Sequence, residues 1–223
     1  MNSYFVQAGY FADNTIVKFV TFNGTERTYH AWDLASKYAQ SLYGRTYNPS
    51  GKMEKDANGN AQFYRDQTDN YHQQHYQLFW NQYLNKDWTL NVALHYTNGK
   101  GYYEQYKKDK KLLDYGLDAN KTKAKSSLVR QKWLSNDFFG TIASLHFNNK
   151  KNVEATIGGG WNKYDGDHYG FVTWVAKPVD AYFPYHRYYD NNTKKTDFNV
   201  YSKVNYTFVE GLNGFVDLQY RHV

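Results

Sequence analysis

The sequence contains no cysteine, only 3 prolines in 223 residues, and no long hydrophobic run. Without cysteine there is no disulfide framework and no thiolate metal site. No window approaches the ~18–20 apolar residues that a membrane-spanning helix needs. The opening residues MNSYFVQAGY lack the basic start and apolar core of a signal peptide. Both termini stop within strand-like sequence, so we expect a piece of a longer chain.

The excess of positive charge is small, at +6. The lysines cluster in two polar stretches, which is typical of solvated loops. Nucleic acid is therefore not an expected partner. The clusters consist of Lys107, Lys108, Lys110 and Lys111, and of Lys121, Lys123 and Lys125.

Aromatic residues are abundant, at 20% of the chain with 24 tyrosines. Their flat rings cover pleated surfaces well, so they favour strands. The stretch WTLNVALHY, residues 88–96, alternates apolar and polar residues almost without error. This alternation predicts a strand with one apolar and one polar face. The chain is polar overall, with a mean hydropathy of −0.88. The apolar face of this strand could therefore contact either a protein core or lipid.

Short turn signals occur near residues 13, 86, 150 and 210, each between two strand-like stretches. They predict four antiparallel hairpins. All three prolines lie outside the proposed strands, as expected of a residue that cannot donate to a sheet ladder. The predicted strands are 3–11, 15–31, 71–83, 88–103, 128–148, 152–166, 195–208 and 212–222.

The remaining connections are long and lie at the other end of the strands: 32–70, 104–127 and 167–194. Residues 33–42, DLASKYAQSL, could form a short helix. Short turns at one end and long loops at the other are typical of outer-membrane barrels. The predicted fold is therefore all-β, with about eight antiparallel up-and-down strands forming part of a large transmembrane β-barrel.

Two interpretations of the apolar face follow from the residues. A soluble sandwich would cover it with a second sheet, and a membrane barrel would expose it to lipid. Lipid is favoured by strands longer than the ~5–6 residues common in globular sheets. It is also favoured by aromatic residues beside the short turns, as at a membrane interface. These residues are Phe11, Tyr83, Trp88, Phe147 and Phe208.

Several segments resemble the barrel region of TonB-dependent outer-membrane receptors. Among them are TIVKFVTFNGTERTYHAWDLAS (15–36), QTDNYHQQHYQLFWNQYLNKDWTLNVALHYTNGKGYYEQYK (67–107) and HRYYDNNTKKTDFNVYSKVNYTF (186–208). VRQKWLSNDFFG (129–140) and GGGWNKYDGDHYGFVTW (158–174) are also similar. The resemblance implies a 22-stranded barrel with a plug, which this chain lacks together with the terminal strands. Residues 1–223 would then be a partial barrel domain of four hairpins.

The resemblance also implies a place and a role. The chain would lie in the outer membrane of a Gram-negative bacterium and take part in TonB-energised uptake of a scarce nutrient. The ligand class would be an iron–siderophore, haem, cobalamin or a glycan. Its partners would be outer-membrane lipid, that small-molecule ligand, and the TonB complex through the missing plug. No cofactor is expected.

Aromatic and basic residues crowd the long-loop end, where stacking and charge-assisted bonds suit an anionic chelate or a sugar face. His72 and His75 would face opposite sides of a strand and make a poor metal pair. Asp165 and Asp167 are weak metal candidates, since Ca²⁺ needs six or more oxygens. The predicted ligand-binding residues are Tyr102, Tyr103, Tyr106, His168, Tyr169, Trp174, Tyr185, His186, Arg187 and Tyr188.

Two other functions remain open. One is a soluble β-sheet module that binds carbohydrate through exposed tyrosine and tryptophan. The other is a glycan-active enzyme in which Asp165 or Asp167 supplies a carboxylate. No Ser-His-Asp or Cys-His arrangement stands out, and the acidic residues are not paired as in a hydrolase. We therefore expect no catalytic activity.

Overall fold

The computed structural model describes residues 1–118 and 123–223. This part of the chain forms strands with one short α-helix and one 3₁₀ turn, Leu112–Tyr115. The α-helix is α1, Lys37–Tyr43. The strands are β1 Asn2–Phe11, β2 Thr15–Tyr29, β3 Thr68–Tyr83, β4 Trp88–Lys111, β5 Lys125–Asn148, β6 Val153–Val175, β7 His186–Val209 and β8 Leu212–His222.

All eight strands belong to one sheet in the order β1-β2-β3-β4-β5-β6-β7-β8. Each strand is antiparallel to its sequence neighbour. The all-β, up-and-down prediction is confirmed. The sheet is open in this structure, with β1 and β8 at its edges.

The four hairpin turns lie where the sequence predicts them, at the end of the sheet called here the turn end. Asparagine side chains shape two of them. The Asn149 amide oxygen accepts hydrogen bonds from the backbone N–H of Lys151, Asn152 and Val153, each 3.0 Å long. Asn85 does the same for Asp87 and Trp88. Such side chains replace backbone partners in tight turns, which is why asparagine favours them.

Strands β3 to β7 extend further towards the opposite end, called here the loop end, than predicted, whereas β2 ends at Tyr29 and not at residue 31. β4 continues to Lys111, β5 begins at Lys125, β6 continues to Val175, and β7 begins at His186. The predicted connections 104–127 and 167–194 were therefore wrong in extent. In these extensions polar and aromatic residues occupy both faces, so hydropathy does not alternate although the backbone still pairs.

The predicted helix at 33–42 is found as α1, shifted towards the carboxyl end. It begins at Ser36, whose hydroxyl accepts a 3.1 Å hydrogen bond from the Ala39 N–H. It ends at Gly44, at φ +88°. Serine is a favoured N-cap because it satisfies a free N–H of the first turn. Within residues 1–118 and 123–223, no helix is long and apolar enough to cross a membrane.

One face of the sheet is apolar across all eight strands. Residues that lie directly opposite one another on neighbouring antiparallel strands point to the same face of the sheet. A set of residues paired in this way across several strands is called here a register row, and each row lies on one face. The exposed fractions of Leu94, Ile157 and Val204 are 46%, 55% and 39%, so no second layer of the described chain covers them. The central row of this apolar face consists of Tyr10, Val17, Trp80, Val92, Ala143, Gly159, Val200 and Tyr220.

The opposite, polar face carries hydrogen-bonded and charged pairs between strands. Asn81 donates to Asn91 across β3 and β4. A His95 ring nitrogen lies 2.8 Å from the Asn162 amide oxygen. Lys203 and Asp217 form an ion pair of 3.6 Å across β7 and β8. This face is therefore suited to contact with water or polar groups.

The buried hydrophobic core of the described residues lies at the loop end and not between two layers. It is built by the 3₁₀ turn, the start of β5 and the end of β6. Its residues are Leu112, Tyr115, Leu117, Leu128, Val172 and Val175. It anchors segments 112–118 and 176–185 to the strand ends, and so gives the loop end a defined shape.

The long connection 30–67 is also fastened to the strands. The Tyr29 hydroxyl donates to the Ser50 carbonyl at 3.0 Å. The Glu54 carboxylate accepts hydrogen bonds from the Tyr106 hydroxyl and, at 2.8 Å, from the Ser127 hydroxyl. The Tyr106 bond, more than any other contact, lowers the pKa of Glu54. This connection is therefore held by specific polar contacts.

Candidate functional site

The predicted ligand-binding residues all lie at the loop end, but the sheet separates them. Tyr102, Tyr106, Tyr169, Trp174 and Arg187 belong to register rows on the same side as the apolar face. The rows of Tyr103, His168 and His186 are on the polar side. Tyr188 lies at a register irregularity, and Tyr185 lies in the connection before β7. A single ligand on one face cannot touch both groups.

The side chains of three of these residues make contacts within the chain and are not left open to a ligand. Tyr106 is 4% exposed and donates its hydroxyl to Glu54. His186 contacts the Tyr115 carbonyl through Nε2 at 2.8 Å. The ring of Tyr188 packs against that of Tyr115, with centroids 4.9 Å apart, and burial raises the Tyr188 pKa. These side chains hold the loop end together.

On the apolar side, beyond the apolar rows, three rings on neighbouring strands stack against one another. The Trp133 ring lies between Tyr102 and Tyr169, at centroid distances of 4.5 and 5.9 Å. The Arg187 guanidinium covers the outer face of Tyr169 at 4.7 Å. Trp133 donates its indole N–H to Gln131 at 2.9 Å. In this outer aromatic stack the rings and the guanidinium cover part of one another's faces, and Tyr102 and Trp133 also line a second cavity of about 320 Å³.

On the polar side, the structure contains a cavity of about 400 Å³, called here the polar-face cavity. One register row crosses it in the order Asp69, Tyr103, Lys132, Gly170, Tyr189. The Lys132 ammonium lies 5.9 Å from the ring centroids of both Tyr103 and Tyr189. A side chain at Gly170 would collide with the Tyr189 ring. Glycine there lets Tyr189 lie over the strand and approach Lys132.

A second row, nearer the turn end, completes the cavity. It contains Glu26, Tyr71, Gly101, Leu134 and His168. A Cβ atom at Gly101 would lie 2.6 Å from the Tyr71 ring, so glycine again makes room for a tyrosine. The Tyr71 hydroxyl donates to the Asn136 amide oxygen at 3.2 Å, which fixes the ring. Burial raises the pKa of Tyr71, so the phenol stays protonated.

Lys132 supplies the positive side of the cavity, while Lys107 and Arg130 lie nearer the loop end and do not line it. In residues 1–118 and 123–223, no carboxylate lies within ion-pair distance of Lys107, Arg130 or Lys132. Arg130 instead donates to Gln105 at 2.9 and 3.2 Å. Burial, followed by the charge of Arg130, lowers the pKa of Lys107. Asp69 and Glu26 supply the negative wall.

The acidic residues Asp165 and Asp167 lie inside regular β6, on the side of the outer aromatic stack. Both residues pair regularly with β5 and β7, without a turn or bulge at this point. The Asn192 amide donates to both carboxylates at 2.9 and 2.8 Å, and Lys194 lies 3.5 Å from Asp165. No group of three or more potential metal ligands is found in the part of the chain that the structure describes. His72 and His75 bond to different partners, Thr25 and Thr97.

Sequence reasoning found Tyr103 and His168 but missed Lys132, Tyr189 and Tyr71. The missing signal was the register, because these residues are brought together only by pairing across β3 to β7. The alternation of side chains between the two faces of each strand can, however, be read from the sequence. It assigns Tyr102 and Tyr103 to opposite faces already within the predicted strand 88–103.

Comparison with known proteins adds little. No protein-family model matches the chain, and no curated protein matches it. Among solved structures, it is similar to BauA, the ferric preacinetobactin receptor from Acinetobacter baumannii. The TM-score is 0.46 at 7% identity, over 98% of this chain and 36% of BauA. The chain thus spans about a third of the length of that receptor.

Proposed function

We propose that the chain is part of the barrel wall of an outer-membrane receptor that takes up a small nutrient. The observation that supports this is the apolar face, which runs in register across all eight strands without a covering layer in the described residues. Soluble monomers rarely expose contiguous apolar patches larger than a few hundred Å². A soluble carbohydrate-binding module would need a second layer over this face.

The height of the apolar face fits a bilayer. On β4, β5 and β6 it covers Trp88–Tyr96, Phe139–Phe147 and Val153–Trp161, which are nine residues each. About 9–11 tilted residues cross the hydrocarbon core. One row beyond Tyr96 and Phe139, the same side of β4 and β5 carries Asn98 and Asp137. On β6 and β7 the polar residues begin one row nearer the turn end, at Lys163 and Thr196. The apolar segment therefore ends within one register row of the same level on four strands, which supports an apolar medium such as lipid.

In this proposal the polar face borders the lumen, where water or another polar segment would contact the pairs described above. The polar-face cavity then lies inside the barrel near the loop end and would contact incoming ligand. Residues 1–223 would be a partial barrel domain, with the remaining strands, the plug and the contact with TonB supplied by other segments. The proposal includes no catalytic step.

Refolding tests the proposal. The chain is diluted from urea into phosphatidylcholine vesicles or into buffer alone, and its association with lipid is followed by flotation and far-UV circular dichroism. We expect strand-rich protein to float with the vesicles and to aggregate in buffer, because the apolar face then has no partner. A monodisperse monomer in buffer that melts cooperatively would contradict the proposal.

A further inference from the structure

We infer that the polar-face cavity binds an acidic sugar, with its carboxylate at Lys132 and its hydroxyl groups at Asp69 and Glu26. The inference deepens the proposed function, because it assigns a ligand class to the cavity that would face the lumen. It rests on the arrangement of six side chains across five strands, β2 to β5 and β7.

The anionic part of the ligand is indicated by Lys132. Its ammonium group has three donors and, in the described residues, neither a hydrogen bond nor a carboxylate within 4.0 Å. The rings of Tyr103 and Tyr189 lie 5.9 Å away on two sides and limit its positions. A carboxylate between these rings would gain a charge-assisted hydrogen bond, which is about twice as strong as a neutral one.

The hydroxyl groups of the ligand are indicated by the opposite wall. Asp69 lies two strands from Lys132 in the same row, and Glu26 lies in the neighbouring row. Carboxylates only accept hydrogen bonds, so they need donors such as sugar hydroxyls. In the described residues neither carboxylate has a hydrogen bond or ion pair to a side chain.

The rings and the volume fit the same class. Tyr71, Tyr103 and Tyr189 line the cavity, and the apolar face of a sugar ring can lie against such rings. The volume of about 400 Å³ lies within the range of small-molecule sites. A neutral sugar would leave Lys132 unpaired. A chelate with several negative charges would meet Asp69 and Glu26. One carboxylate on a polyhydroxylated ring matches both walls.

The test compares galacturonic acid, which carries one carboxylate, with neutral galactose, using the full chain refolded in vesicles and isothermal titration at low salt. We expect the acidic sugar to bind about tenfold more tightly. Lys132→Gln should abolish this preference and Lys132→Arg should retain it. The matched control is Lys100→Gln, which removes an equal charge from the outer side, where Lys100 lies over Trp133. Asp69→Asn should weaken the binding of both sugars.

Equal binding of the two sugars, or equal losses in Lys132→Gln and Lys100→Gln, would overturn the inference. Flotation and circular dichroism of each variant confirm that it is folded. A chain that floats with vesicles but binds neither sugar refutes the sugar site and leaves the barrel wall standing. A chain that binds galacturonic acid as a soluble monomer supports the sugar site and refutes the wall.

Discussion

Val92 offers the sharpest contrast between lipid and water on the two faces of one strand. It occupies the middle of the apolar segment Trp88–Tyr96 and the central row of the apolar face. A positive charge at the midplane of a barrel wall costs about 2–4 kcal/mol and falls to about 0–1 kcal/mol near the interfaces. Val92→Arg should therefore lower the free energy of unfolding by about 2–4 kcal/mol.

The neighbouring residue is the control. Asn91 faces the polar side, where it accepts from Asn81 and lies 3.5 Å from the Ser144 hydroxyl. Asn91→Arg should cost about 1 kcal/mol, the net value of one hydrogen bond. Val200 shares the row of Val92 three strands further along the sheet, so Val200→Arg should match Val92→Arg.

The assay is urea unfolding of the chain in phosphatidylcholine vesicles, followed by tryptophan fluorescence. The midpoint and slope of each transition give the free energy of unfolding, and an unchanged slope shows that the compared states are the same. Equal costs at residues 91 and 92 would refute the face assignment. A cost below about 0.5 kcal/mol at Val92 would refute contact with the hydrocarbon core.

Other predictions follow from single contacts. Gly101→Ala should destabilise the chain by about 1–3 kcal/mol, because its Cβ would overlap the Tyr71 ring. Gly24→Ala is the control: a Cβ there would meet nothing within 4 Å, so stability should change by less than about 0.5 kcal/mol in the same urea assay. Equal effects of the two substitutions would contradict the crowding argument. The pKa of Glu54 is lowered from 4.5, so its contribution to holding connection 30–67 is present above pH 4.5 and lost as pH falls through the folded-state pKa. Amide hydrogen exchange in this connection should therefore speed up in acid, and Glu54→Gln should remove that pH dependence; an unchanged acid response in the variant would assign it to another group. Ser36→Ala should selectively raise exchange in α1, since it removes the bond to the Ala39 N–H, and an effect spread over the sheet would contradict this local role.

The four hairpins could be predicted because the apolar face imposes a period of two on the sequence. Where one side of a strand meets an apolar medium and the other does not, as in Trp88–Tyr96, each residue indicates its own face. The asparagine-rich turns indicated where the strands of each hairpin end. Nearly all of the sheet order follows from these signals, since each strand pairs with its neighbour in sequence.

The extensions towards the loop end could not be predicted in this way. In Gly101–Lys111 both faces carry tyrosine and lysine, and the strand is maintained by backbone pairing with β5. The polar-face cavity was missed for the same reason. Lys132 and Tyr189 are 57 positions apart in sequence and meet only because β6 places Gly170 between them. Register across three strands decides this contact, and local patterning does not encode it.

A cysteine scan along β4 distinguishes lipid from water on the two faces of the strand, and the chain contains no native cysteine that would interfere. Single cysteines at residues 89 to 94 are introduced into the vesicle-bound chain and exposed to a water-soluble maleimide. The account predicts alternate labelling, with Leu90, Val92 and Leu94 protected and Thr89, Asn91 and Ala93 reactive. Uniform labelling, or protection of Thr89, Asn91 and Ala93 instead, would contradict it.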